Sequence, residues 1–273
     1  MYISIFSDEL GLEFTEAIPY FKEWKLKYVD FRGKVFGKSF EKLNKDEVKE
    51  VKKILDNNGL RVGCFESSIG KVHLPENEEV IKEQQRKLDN LIVAAEILDC
   101  RLVRCFHFWQ PEENKKGTLS VDSPELERVL ELTVPIAKKA AEEGITAAFE
   151  NCGVTVTEVK TVLDSLKMEN CSYAWDVHNN WDIELKKHGD PTAYIREYAP
   201  KAKLVHMKSR RALPELNAPL VPWDFVFSEL KAAGYNGLIS VETHCPSEMK
   251  MNPGEIEINR RLVKMAFELL SKI

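Results

Sequence analysis

Short apolar runs alternate along the chain with longer segments of helical periodicity. The runs are nearly continuous in apolar residues, as is typical of parallel strands that are covered on both faces. We predict eight such strands, at residues 2–6, 27–31, 60–65, 102–106, 145–149, 172–175, 203–205 and 238–241.

Amphipathic segments between these runs predict the helices. The clearest begins near Glu78, where apolar residues recur at spacings of three, four and seven as far as Leu98. Another begins at Ser123-Pro124, a capping residue followed by proline, and stops at Gly144. Further helices are predicted at residues 13–24, 45–57, 154–167, 192–198, 223–233 and 253–271.

The strict alternation of eight strands with helices favours a single-domain (β/α)8 TIM barrel over residues 1–273. An open doubly wound sheet usually has fewer strands and a glycine-rich turn after the first one, and this chain has no GxGxxG motif there. The longest loops are predicted at residues 66–77, 107–121, 178–190 and 207–221. Most of them directly follow strands, so we expect them to lie over the barrel mouth.

The amino-acid composition limits the kinds of molecule that the protein is expected to bind. Lysine and arginine number 39 against 44 aspartates and glutamates, and the net charge of -5 gives no electrostatic reason for a nucleic-acid partner. The chain has no run of about 18 apolar residues and no signal-peptide pattern, so we expect no membrane span and a cytoplasmic location. The six cysteines show no CxxC spacing and are expected to be reduced. A small polar substrate fits best, and a homo-oligomer stays possible.

Four consecutive predicted strands end at residues that can bind metal: Glu150, Asp176, His206 and Glu242. Side chains at the carboxyl ends of barrel strands converge on the mouth, where active sites lie. A single acidic strand end is usually a helix cap or a solvated residue, but four in successive units predict a common site. Three carboxylates and an imidazole suit one divalent ion such as Mn²⁺, Mg²⁺, Co²⁺ or Zn²⁺.

Four segments carry a resemblance to a known family. They are Phe149-Glu150-Asn151, Trp175-Asp176-Val177-His178-Asn179, Val205-His206-Met207-Lys208 and residues 234–242. In these segments the chain resembles the xylose isomerase-like TIM barrel superfamily and, within it, the sugar phosphate isomerase/epimerase group. The resemblance implies a metal held by Glu150, Asp176, His206 and Glu242. It also implies an isomerase or epimerase that moves a proton through a metal-stabilised enediolate, with Glu150 and Glu242 as the acid/base pair.

Further residues are candidates for contact with a sugar substrate. Glu66 and His107 follow strands three and four, Trp109 lies in the loop beyond, and Lys208 shares the side of its strand with His206. Many relatives have a histidine three residues after the aspartate of strand six, where this chain has Asn179 preceded by His178; either could bind a hydroxyl. Arg211, in the loop after strand seven, could hold a phosphate or carboxylate, although that loop has no glycine.

Three other functions share parts of this pattern. A metal-dependent dehydratase of the inosose type would use the same ligands but expel a hydroxyl group instead of returning a proton. An apurinic endonuclease of the same superfamily would need more histidines and a surface suited to DNA, and the loop at residues 207–221 has no histidine. A sugar-binding protein without catalysis would not need a complete ligand set.

Overall fold

The computed structural model describes residues 1–189, 191–208, 212, 221–245 and 247–273. It contains ten strands in these residues: β1 Tyr2–Ile5, β2 Tyr28–Phe31, β3 Lys34–Val35, β4 Lys38–Ser39, β5 Arg61–Glu66, β6 Leu102–Cys105, β7 Thr146–Glu150, β8 Cys171–Asp176, β9 Ala202–Met207 and β10 Leu238–Val241. Eight of them form one parallel sheet in the order β1-β10-β9-β8-β7-β6-β5-β2. A parallel bridge between Phe6 and Asp30 joins the two ends of this sheet, which confirms the (β/α)8 barrel.

Helices surround the sheet. In the described part of the chain they are α1 Phe14–Glu23, α2 Lys45–Asn58, α3 Glu78–Leu98, α4 Glu125–Glu142, α5 Val156–Leu166, α6 Trp181–His188, α7 Pro191–Tyr198, α8 Trp223–Ala232 and α9 Glu255–Ser271. None of these helices has the length and apolar character that crossing a bilayer requires, a finding that covers the described residues.

The predicted strands all exist within two residues of their predicted ends, whereas one local prediction is wrong and one hairpin was not predicted. The segment predicted as a loop at residues 178–190 contains α6, whose apolar residues are too few to give a clear helical pattern. The hairpin that was not predicted is the antiparallel pair β3 and β4, which turns through Phe36 and Gly37, both with positive φ. Pro19 lies inside α1 without ending it.

Alternation along each strand sends every second side chain into the barrel. Inside, an apolar cluster fills the space below the mouth; its members are Cys64, Ala148, Ala174, Leu204 and Leu238. Two residues further along β7, β8, β9 and β10, the inward positions are Glu150, Asp176, His206 and Ser240. Glu242 lies two residues after Ser240, just beyond the end of β10. The floor is therefore apolar, and the polar side chains lie above it.

A close backbone contact fixes the loop after β5. The N–H of Phe106 donates to the carbonyl of Ile69 at 2.7 Å, and that of Phe108 donates to Gly70 at 3.0 Å. Gly70 has a φ of +75°, and a Cβ atom there would lie 2.1 Å from the carbonyl oxygen of Phe106. Only glycine fits this position without moving the backbone.

Replacing Gly70 by alanine should therefore lower the free energy of unfolding by about 2–5 kcal/mol, because backbone strain and overpacking add. Gly59 is the matched control: it has a φ of +66°, but a Cβ atom there meets no other atom within 4 Å. Gly59→Ala should cost about 1 kcal/mol. Urea unfolding followed by circular dichroism measures both, and equal losses would show that the contact at Gly70 is unimportant.

Candidate metal centre

Four side chains meet at the carboxyl ends of β7, β8, β9 and β10. Glu150, Asp176, His206 and Glu242 are all buried, and each offers one ligand atom within 4.8 Å of the others. The parallel register places His206 beside Asp176 on one neighbouring strand and beside Ser240 on the other. The convergence predicted from the sequence is thus present; that these atoms bind a metal stays a prediction.

One ring nitrogen of His206 lies close to both glutamates. Its Nδ1 is 3.7 Å from Glu150 Oε1 and 3.5 Å from Glu242 Oε2. Its Nε2 points to a different carboxylate, Glu66, whose Oε1 is 3.4 Å away. Burial lowers the pKa of His206, but Glu66 and Glu150 raise it more, so the pKa lies well above its usual value. The surroundings of the imidazole ring thus favour its protonated form.

The donor set fits a divalent ion on two grounds. Nδ1 of His206 and Oε2 of Glu242 are buried and have no hydrogen-bond partner among the described residues, an arrangement that is costly unless another group satisfies them. The ion-paired network around them also contains more carboxylates than permanent cations: Asp8, Glu9, Glu66, Glu150, Asp176 and Glu242 against Arg32, Arg104 and Lys208. A divalent cation would reduce this excess.

Two arginines hold the outer oxygens of the glutamates. Arg104 Nη1 is 2.6 Å from Glu150 Oε2, and Arg32 Nη1 is 2.7 Å from Glu242 Oε1. Burial raises the pKa of Glu150, but Arg104 and His206 together lower it more, so the pKa lies below its usual value. Burial likewise raises the pKa of Glu242, but the combined effect of Lys208, His244, His206 and Arg32 places it well below its usual value. Both glutamates are therefore held as anions.

Lys208 and Asn179 bridge the remaining ligands. Lys208 Nζ lies 2.7 Å from Asp176 Oδ2 and 3.4 Å from Glu242 Oε2, and it donates to Asn179 Oδ1 at 2.9 Å. The side-chain amide of Asn179 donates to Glu150 Oε1 at 3.2 Å. Burial lowers the pKa of Lys208, but Asp176 and Glu242 raise it above its usual value. Lys208 therefore stays protonated beside the ligand atoms.

The other predicted substrate contacts lie at different depths. His178 is half-buried at the end of β8, next to Asn179. His107 is fully buried with no hydrogen bond to either ring nitrogen from the described residues, and burial lowers its pKa to about 4 despite the nearby Glu158. Arg211 lies outside the described residues.

Trp109 and Glu66, which were both predicted to contact a substrate, are buried. Trp109 is 1% exposed, and its indole N–H donates to Glu158 at 2.9 Å, which attaches the loop after β6 to α5. The side chain of Glu66 has no exposed surface and faces His206 and Arg104. The contacts observed for both residues are structural, and contact with a substrate stays a prediction for each.

Several residues of the site were not predicted. Arg104 is the one charged residue of the apolar run at residues 102–106, and an inward position for it follows from strand alternation. Arg32 pairs with Glu242 across 210 residues of sequence, which no local pattern reveals. Asn151 fixes the end of β8 by exchanging two hydrogen bonds of 2.9 Å with the backbone of Asp176.

A further buried carboxylate, Asp30, lies inside the barrel and is not one of the four candidate ligands. Asp30 Oδ2 accepts hydrogen bonds from Ser4 at 2.5 Å and from Ser240 at 2.6 Å. Burial, with a smaller contribution from Glu66, raises the pKa of Asp30 to about 7. Between pH 4 and 7 the folded chain therefore keeps a proton that the unfolded chain releases, so this group makes the protein less stable as pH rises.

Asp30→Asn should remove this part of the pH dependence. Relative to the variant, the wild type should lose up to about 1.4 kcal/mol of unfolding free energy per pH unit across that window. Urea unfolding of both proteins at pH 5, 6, 7 and 8 measures the difference. A difference that does not change with pH would mean that Asp30 titrates at its usual value.

Comparisons with known proteins support the barrel fold. A family described as xylose isomerase-like TIM barrel matches residues 18–266, while no curated protein matches the chain. Solved structures with a similar fold include a D-psicose 3-epimerase with D-tagatose from Clostridium cellulolyticum, with TM-score 0.70, 15% identity and coverage of 98% of this chain and 97% of that one. An L-ribulose 3-epimerase has TM-score 0.74, 16% identity and coverage of 99% and 95%.

A third similar structure is the probable 3-DHS dehydratase of petrobactin synthesis from Bacillus anthracis. It has TM-score 0.71 and 13% identity, and the alignment covers 98% of this chain and 99% of that one. At such identities the likeness of the structures establishes the fold, and the family match over residues 18–266 establishes the relationship. The chain belongs to the xylose isomerase-like TIM barrel family.

Proposed function

We propose that this protein is a metal-dependent isomerase or epimerase of a sugar or sugar phosphate that moves a proton through an enediolate. One observation carries the proposal: Glu150 Oε1 and Glu242 Oε2, which come from different barrel units, both lie close to His206 Nδ1, at 3.7 and 3.5 Å. Two carboxylates that face one centre from different strands can serve two positions of one substrate. The 3-epimerases with a similar fold support the choice of reaction class.

Glu150, Asp176, His206 and Glu242 would hold one divalent ion, of which Mn²⁺, Mg²⁺, Co²⁺ and Zn²⁺ all suit the ligands. When bound, such an ion polarises a carbonyl group and makes the adjacent C–H more acidic. The remaining contributions come from the side chains themselves.

Glu150 and Glu242 are the candidate acid/base pair. Each has its outer oxygen fixed by an arginine and its inner oxygen directed to the common centre. Both are anionic, so either can accept a proton from carbon. In an epimerase, one glutamate would remove the proton from one face of the substrate as a base, and the other, after taking up a proton from solvent, would return a proton to the opposite face.

Lys208 and Asn179 would position the substrate oxygens. The ammonium group of Lys208 lies between Asp176 and Glu242, where it can stabilise negative charge that develops on a substrate oxygen. Asn179 links Lys208 to Glu150, so it couples the two sides of the site. His178, His107, Trp109 and Arg211 stay predicted contacts, with Arg211 as a candidate for a phosphate group.

A dehydratase is the second candidate. Elimination needs a proton donor for the departing hydroxyl group, and Lys208 provides a protonated group 3.4 Å from Glu242 Oε2. Glu242 would then remove the proton while Lys208 assists the leaving group.

One experiment separates these reactions. The metal-loaded protein is incubated in D₂O with a panel of ketoses, their phosphates and inososes, and the products are followed by NMR. Deuterium at the carbon next to the carbonyl, together with a new epimer or aldose, supports the isomerase or epimerase. Loss of water from the substrate supports the dehydratase. Absence of both exchange and turnover across the panel would refute the proposed function.

A further inference from the structure

We propose that Glu66, a residue of β5, is a positioning residue that orients His206 for metal binding. The inference rests on the metal site of the proposed function, and it adds a residue from the half of the barrel that contributes none of the four ligands.

The two ring nitrogens of His206 face different groups. Nδ1 faces Glu150 Oε1 and Glu242 Oε2 within the ligand cluster, whereas Nε2 lies 3.4 Å from Glu66 Oε1. A neutral imidazole carries one N–H and one lone pair. If the N–H is on Nε2 and points to Glu66, the lone pair of Nδ1 points to the cluster, as a metal ligand requires.

Glu66 is itself held in place by Arg104. Arg104 Nε is 3.3 Å from Glu66 Oε2, and its Nη2 donates to the backbone carbonyl of Glu66 at 2.8 Å. The same guanidinium group binds Glu150 Oε2 at 2.6 Å. Arg104 therefore connects the carboxylate behind His206 to one of the other ligands.

Packing restricts the movement of His206 as well. The ring of Phe6 meets the imidazole edge to face, with centroids 5.1 Å apart and planes at 88°. His206 and Glu66 have no exposed side-chain surface. Because the Glu66 carboxylate is enclosed between His206 and Arg104, its observed contacts are those of a group behind the ligands.

A carboxylate behind a histidine ligand fixes the ring orientation and makes the ligand nitrogen more basic. Loss of such a partner typically weakens metal binding about 10–100-fold. We therefore expect Glu66→Ala to raise the Kd for Mn²⁺ or Zn²⁺ by this factor, measured by titration of chelator-treated protein. Glu66→Gln should give a smaller increase, because its amide oxygen can still accept a hydrogen bond from Nε2 although the charge is lost.

Asp30→Asn is the matched control. It also removes a buried carboxylate from the barrel interior, but Asp30 bonds to Ser4 and Ser240 and not to a ligand. Its Kd should stay within about threefold of the wild type. Circular dichroism of all variants shows whether the fold is retained. If Glu66→Ala does not fold, Glu66→Gln is nearly isosteric and provides the comparison.

NMR of ¹⁵N-histidine-labelled protein gives a readout that a purely structural role would not change. In the zinc-loaded wild type, His206 should show a protonated Nε2 that exchanges slowly with water and an Nδ1 shifted by the metal; a His206→Gln sample assigns the signals. In Glu66→Gln the Nε2 proton should exchange faster.

Two results would overturn the inference. One is a wild-type spectrum in which Nε2 binds zinc and Nδ1 is protonated. The other is a folded Glu66→Ala or Glu66→Gln protein whose metal Kd equals that of the wild type. These results are separate from failure of the proposed function, because a wild type that binds metal but converts no sugar would refute the reaction and leave the Glu66 comparison intact. A wild type that binds no divalent ion would overturn both.

Discussion

Replacing Glu242 by glutamine should lower kcat about 10³-fold at saturating metal. A carboxamide keeps an oxygen that can bind a metal ion, but it cannot accept a proton from carbon, and a general base typically contributes about 10²–10⁴-fold. Stopped or continuous assays measure the loss, with the substrate that the NMR panel in D₂O identifies. The rate of deuterium exchange should fall in parallel with turnover, since both need the same proton transfer.

Glu9→Gln is the control for this change. Glu9 is buried and binds the same arginine as Glu242, with its Oε1 2.6 Å from Arg32 Nη2. The substitution therefore changes the charge around Arg32 without removing one of the four candidate ligands, and kcat should fall by less than about tenfold. Equal losses in the two variants would mean that Glu242 acts only through the arginine network and not as a base.

Replacing Arg104 by methionine should lower the unfolding free energy of the metal-free protein by about 3–5 kcal/mol. The substitution leaves the buried carboxylates of Glu66 and Glu150 without the cation that neutralises both, and removing one partner of a buried ion pair typically has this effect. Chemical unfolding in the presence of a chelator measures the change. Added metal should restore part of the lost stability, since the ion replaces positive charge near Glu150.

Arg101→Met is the matched control on the same segment of chain. Arg101 is exposed and donates one hydrogen bond, to the carbonyl of Glu143 at 3.0 Å. Its loss should cost less than about 1 kcal/mol. If both arginine variants are equally stable, the pairing of Arg104 with Glu66 and Glu150 does not stabilise the fold.

The sequence predicted the barrel and the four converging side chains because both depend on local patterns. Apolar runs mark the strands, and a polar residue directly after such a run must lie at the carboxyl end of a parallel strand. Glu150, Asp176, His206 and Glu242 all follow this rule, and His206 Nδ1 indeed lies close to both glutamates. Strand alternation also predicted that Lys208 shares the side of its strand with His206, and its Nζ lies 2.7 Å from Asp176.

The surroundings of the four side chains could not be predicted in the same way. Arg32 pairs with Glu242, and Glu66 lies behind His206, only because β2, β5, β9 and β10 curve into one closed sheet. Rotamers decide these contacts, and a sequence pattern gives the face of a strand but not the direction of a long side chain on it. Trp109 illustrates the limit: its position in a loop made it a candidate for contact with a substrate, but its side chain is buried and its indole N–H donates to Glu158.

Direct measurement of divalent metal binding tests the central claim. Isothermal titration calorimetry of chelator-treated protein with Mn²⁺ or Zn²⁺ should show that the wild type binds one ion per chain. His206→Ala and Asp176→Ala, each lacking one ligand from the cluster, should bind at least about 100-fold more weakly. A wild type that binds no divalent ion, or a folded His206→Ala variant that binds one with unchanged affinity, would contradict the assignment of this cluster as the metal centre.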